Sequence, residues 1–241
     1  MPSSSNHTQR HALVHDLSIS VSADYQGQQP TCSRQVCLPA KEETLRLFQV
    51  YFDYVGIFQH IIYEPHSRKL IEDVYYQLAH VSTKTAPPGL ALILSVIGIA
   101  TTLQPLKGNL EDTLPTLKER LRVSAAYVRS SMDCLEQYRR RMNHSLEGVQ
   151  AILVLQFLIN HIEAFSARYR TLLAEAITMS HSVGLHRIDA TAAKGSVPRD
   201  TTDARTQEIM RRAWWYLTAT DWLVSMTEGR NFVLRAGLSA K

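Results

Sequence analysis

The chain has 241 residues, 45% of them hydrophobic and 20% charged, enough for one substantial core or for two small ones sharing an interface. Its 26 basic and 22 acidic residues leave a formal charge of +4 spread along the chain, which is weak support for a nucleic-acid-binding surface. Three cysteines, Cys32, Cys37 and Cys134, are too few and too unevenly placed for a disulfide framework or a structural zinc site, and point to a reducing compartment.

No apolar run with a cleavage site opens the chain, so no secretory signal is readable. Residues 1–37 are rich in Ser, Gln, His and Thr and are expected to form a mostly disordered arm; residues 38–241 carry the domain. In LPAKEETLRLFQVYFDYVGIF, Pro39 suits a first helical turn, Glu42 and Glu43 suit the positive end of the dipole, and Leu45, Phe48, Phe52 and Val55 share a face. Pro65 biases Glu64 away from helical geometry, which predicts an elbow before a second helix on Leu70, Val74 and Leu78.

Pro87-Pro88-Gly89 breaks the chain ahead of LALILSVIGIATTL, Leu90 to Leu103. At fourteen residues this run is shorter than the about 20 needed to cross a membrane, and reads as a buried helix. From about Thr116, the residues Leu117, Leu121, Ser124, Val128, Met132 and Leu135 form an apolar seam on a long charged helix that ends in Arg139-Arg140-Arg141. That basic run suits a solvated helix end. Ser145 can cap SLEGVQAILVLQFLIN, which is apolar on nearly every face and should be central. The next segment, ARYRTLLAEAITMSHSVGLHR, is amphipathic, with Gly184 as its left-handed stop and Leu185 folding back. These two helices should form an antiparallel hairpin. The class is all-α, a single multi-helix domain of helical hairpins.

RRAWWYLTATDW, residues 211 to 222, holds all three tryptophans. On a helix, Trp214, Leu217, Asp221 and Val224 share one stripe, while Trp215, Trp222 and Met226 lie opposite, so the helix needs cover on most sides. A buried Asp221 must meet a cation or backbone donors, and His186, Arg187 and Arg212 are candidates. No G-x-S-x-G elbow, Walker A loop, dinucleotide-binding turn or H-E-x-x-H pair is present, and the histidines show no convincing metal geometry. Catalytic, cofactor and metal residues are therefore all expected to be absent.

AEAITMSHSVGLHRID resembles the helix-plus-"GLHRD" signature of the fungal-specific transcription factor domain, the middle homology region of fungal binuclear zinc-cluster regulators. EIMRRAWWYLTATDWLVSMTEGR is similar to that family's E-x-x-R-R-x-W-W-x-L-x-x-x-D segment with its closing "GR", and two earlier segments, LPAKEETLRLF onward and SLEGVQAILVLQFLIN, match in order. The resemblance covers roughly residues 38 to 230. It implies a nuclear, non-enzymatic regulatory domain that acts through protein partners or self-association, sometimes in response to a small-molecule effector. Three cysteines cannot supply the family's six zinc ligands, so no sequence-specific DNA binding is expected of this chain, and the domain looks shortened at its C-terminus. The competing reading is a stand-alone small-molecule binder, or an enzyme reusing the scaffold, with a pocket lined by Phe157, Trp214 and Tyr216.

Overall fold

The computed structural model describes residues 13–20, 31–80, 85–103, 110–188 and 204–229. The fold is all-α in its body. Its helices are α1 (Lys41–Tyr51), α2 (Ile57–Gln59), α3 (Glu64–His80), α4 (Leu90–Leu103), α5 (Leu110–Arg140), α6 (Leu146–Glu163), α7 (Ala167–Val183) and α8 (Ala204–Glu228). A π-helical turn, Phe52–Gly56, joins α1 to α2, and a 3₁₀ turn, Leu185–Arg187, follows α7.

Two helices form the inside. Every residue of α4 from Leu90 to Ala100 is buried, and so is every residue of α6 from Gly148 to Gln156. α4 packs against α1, α5 and α6, and α6 packs against α4, α5, α7 and α8. Serines on α5 tie it to the backbone of α4: Ser124 Oγ donates to the Gly98 carbonyl at 2.7 Å and Ser131 Oγ to that of Ala91 at 2.8 Å. The expected seam on α5 is therefore partly polar. Ser124, Val128 and Leu135 are buried, but Leu121 is exposed, and the burial continues through Cys134, Gln137 and Tyr138. The arginine run does close this helix, with Arg139 and Arg140 both on Glu136.

Local chemistry accounts for the sharpest boundaries. Ser145 Oγ accepts from the Gly148 N–H, and Ser166 Oγ from that of Tyr169, at the starts of α6 and α7. Gly184, at φ +82°, ends α7 with its N–H on the Ser180 and His181 carbonyls, and Leu185 is driven fully into the core.

Three boundaries depart from the sequence reading. α3 includes Glu64 and Pro65, because a proline in the first turn forgoes an N–H that has no intrahelical partner anyway. α5 begins at Leu110, ahead of the expected start at about Thr116. Within the arm expected to lack order, β1 (Leu13–Ser20) pairs antiparallel with β2 (Thr31–Leu38), Leu13 opposite Leu38 and Ile19 opposite Cys32. Leu13, Leu17 and Ile19 recur at the period of two that a strand needs, and Val36 and Leu38 at the end of β2 are buried in the core.

Candidate functional site

The tryptophan helix divides its indoles between core and solvent. Trp214 is only 6% exposed, and Ala213, Leu217, Thr218, Asp221 and Val224 are buried with it; Trp215 is 45% exposed, Met226 80%, and Trp222 lies half-buried between them. The buried stripe of α8 packs on α6, α7 and the Leu185–Arg187 turn. Of the residues singled out from the sequence, His186, Arg187, Trp214 and Asp221 lie on the elements that meet at this junction, and Phe157, Arg212 and Tyr216 do not join them.

Trp214 stands beside two imidazoles, His181 at 5.9 Å and His186 at 6.1 Å between ring centroids, and these two rings meet edge to face at 4.8 Å. Arg187 Nε donates to His186 Nε2 at 3.0 Å, which assigns the proton of the neutral ring to Nδ1. Burial, reinforced by His181 and Arg187, lowers the His186 pKa, so this imidazole favours its neutral form. Arg212 turns away from the junction: its Nε donates to Glu208 Oε1 at 2.8 Å, and Glu208 also holds Arg211 at 2.6 Å. The E-x-x-R-R part of the motif is thus an exposed clamp along α8, and the two guanidiniums hold the Glu208 carboxyl below its usual range. Asp221 is fully buried, and it is not without a partner.

Tyr216 belongs to a separate polar bridge. Tyr51 Oη donates to Gln59 Oε1 at 2.9 Å, while Gln59 Nε2 donates to the Leu153 carbonyl and to Tyr216 Oη, each at 3.2 Å. One amide therefore joins α1, α2, α6 and α8. Phe157 is half-buried on α6, its ring 4.4 Å from that of His161. Nothing in the sequence marks Gln59, which reads as one more polar residue near a helix end.

A cavity of about 230 Å³ lies elsewhere, at the elbow between α2 and α3, and none of Phe157, Trp214 and Tyr216 lines it. Ile62, Leu70, Leu92, Leu146 and Ile209 give it apolar walls, and His66, Lys69, Gln150, Arg205 and Thr206 give it polar groups. His66 Nε2 sits 3.7 Å from Glu147 Oε1. Contact with that carboxylate raises the His66 pKa, with burial and Lys69 opposing and Asp73 assisting, and the imidazole in turn lowers Glu147. Among the described residues no group of three His, Cys, Asp or Glu side chains could hold a metal, and no helix is long and apolar enough to cross a membrane.

The chain is a helical domain closed by a tryptophan helix on an arginine-histidine turn, and comparison with known proteins places it further. The model of the fungal-specific transcription factor domain matches residues 48–238, and the chain belongs to that family. It is 36% identical to the probable transcription factor lepB of Aspergillus flavus over 83% of this chain and 35% of that protein. It is 27% identical to the agnestins biosynthesis cluster transcription factor AgnL11 of Paecilomyces divaricatus, over 83% of this chain and 28% of that one. With transcription factor TAS2 of Pyricularia oryzae the identity is 25%, over 80% and 25% of the two chains. The chain thus spans about a quarter to a third of the length of these curated relatives. No solved structure matches.

The two histidines make opposite commitments. His186, with a depressed folded pKa, stabilises the fold above the ordinary histidine range and loses that contribution as pH falls; His66, with a raised one, stabilises it below that range and loses the contribution as pH rises. Ring resonances followed by NMR should show His186 protonating at a lower pH than His66. The reverse order would contradict the environments described for both.

Proposed function

We propose that this chain is the regulatory and partner-binding part of a fungal transcription regulator, acting in the nucleus by helix packing and protein contact and without catalysis. The match of the family model across residues 48–238 carries this reading, and the names of the relatives agree with it. Residues 38–241 form the regulatory domain in this proposal, with the hairpin as its N-terminal extension. Exposed Trp215, Leu223 and Met226 on the outer side of α8 support an interface for a protein partner or a second copy. Sequence-specific contact with DNA is assigned to a different module, since the basic residues here are dispersed and many are already held by carboxylates on their own helices.

Within this domain the proposed role of Asp221 is structural: a buried charge that fastens α8 to the Leu185–Arg187 turn, with Arg187 as its proposed partner. His186 and Trp214 pack the same junction, and Tyr216 anchors the other side of the helix through Gln59. Arg212 serves the exposed clamp, and Phe157 the flank of α6.

Two measurements test the proposal. Asp221→Asn should lower unfolding stability by about 1–3 kcal/mol in urea titration, through loss of a charge-assisted contact; an unchanged midpoint would show that the carboxylate does not hold the helix. Fused to an unrelated DNA-binding module in a fungal reporter strain, the chain should change transcription from that module's sites, and Trp215→Ser with Met226→Ser should reduce the change while leaving the melting temperature in place. A fusion indistinguishable from the bare module would sink the regulatory reading.

A further inference from the structure

The elbow cavity combines three properties that a neutral crevice does not need. Its walls are aliphatic side chains drawn from α3, α4, α6 and α8 and from Ile62 before α3, so an apolar body can be buried there. Its volume, about 230 Å³, exceeds the roughly 150 Å³ of a cavity that takes up benzene and falls short of the about 300–1,000 Å³ of sites for drug-sized ligands. Its lining holds two cations, Lys69 and Arg205, and no carboxylate among the described residues.

The charges are also available. His66 is engaged by the Glu147 carboxylate and is not among the free cations. Lys69 has no carboxylate partner among the described residues, and Arg205 is held by a neutral phenol: its Nη1 donates to Tyr63 Oη at 2.7 Å, with the guanidinium 5.6 Å from the Tyr63 ring centroid. Three helix starts converge on the same space. Pro65, His66 and Ser67 belong to the first turn of α3, Leu146 opens α6, and Arg205 and Thr206 belong to the first turn of α8, which holds no acidic residue. α3 and α6 carry Glu64 and Glu147 in their first turns, so it is the positive end of the α8 dipole that adds to two cations with no carboxylate partner among the described residues, over an apolar floor.

We propose that this cavity binds a small amphipathic anion, a carboxylate carried on an apolar body about the size of one aromatic ring. The ring lies between Leu70, Leu92 and Ile209, and the carboxylate is held by Lys69 and Arg205. This deepens the regulatory reading, on which the meaning of the ligand as an effector rests; the binding itself does not depend on it.

Calorimetric titration of the 241-residue chain with 3-phenylpropionate should show saturable one-to-one binding. Propionate, which lacks the ring, and 3-phenylpropanol, which lacks the charge, should bind about tenfold more weakly or worse, and 3-phenylpropylammonium should not bind. Lys69→Ala with Arg205→Ala, both at exposed positions, should weaken phenylpropionate by about tenfold or more without shifting the melting temperature. Thr206→Trp, which fills the cavity, should abolish it. No saturable binding of phenylpropionate, equal binding of the alcohol, or binding that survives both sets of substitutions would overturn the proposal. If binding holds and the reporter fusion ignores phenylpropionate, the site stands and the effector role falls.

Discussion

Everything in this fold follows from two helices with no face for water. α4 and α6 are apolar nearly all round, so each must be enclosed by other helices. α1, α5 and α6 surround α4, and α4, α5, α7 and α8 surround α6. Neither could be stable alone, because an unshielded face of that composition would cost about 25 cal/mol for each Å² left in water. The outer helices are consequently amphipathic and carry the short-range ion pairs that dominate the surface, such as Arg122 with Glu119 and Arg139 with Glu136, which contribute little to stability individually.

Burial that complete leaves few ways to fix one arrangement of helices over another, and polar groups supply them. Ser124 and Ser131 set the register of α5 on α4 by donating to backbone carbonyls. Gln59 does the same for four elements at once, with three hydrogen bonds to Tyr51, Leu153 and Tyr216. A buried amide leaves unsatisfied groups behind when its partners move, so such bridges favour discrete arrangements over gradual sliding. For the proposed regulatory role that is a useful property, since α8 presents Trp215 and Met226 outward from the same helix that Gln59 and the Arg187 turn hold in place.

Legibility from sequence tracked the range of the interaction. Ser145, Ser166 and Gly184 act within one helical turn, and two of them, Ser145 and Gly184, were readable as caps together with the inward return of Leu185. The stripe of Trp214, Leu217, Asp221 and Val224 was readable from the helical period, as was the outward face of Trp215 and Met226. What could not be read depended on distant partners. Gln59 finds Leu153 and Tyr216 across 94 and 157 positions of chain. Arg212 was a candidate for Asp221, yet Glu208, one turn away on the same helix, takes it. The hairpin is hidden by the polar composition of residues 1–37, which outweighs the alternation of Leu13, Leu17 and Ile19. The elbow cavity gathers Lys69, Gln150 and Arg205 from three helices, and no local pattern announces it.

The claim that α4 and α6 are the enclosed centre on which the other helices depend is open to direct measurement by native-state hydrogen exchange. Amides of Leu92 to Ile99 and of Val149 to Leu155 should exchange only through global unfolding, with the same free energy and the same dependence on low denaturant, while the ends of α3 and α8 exchange by smaller openings. Exchange of the α4 or α6 amides at a lower free energy than those of α3 or α8 would contradict the account.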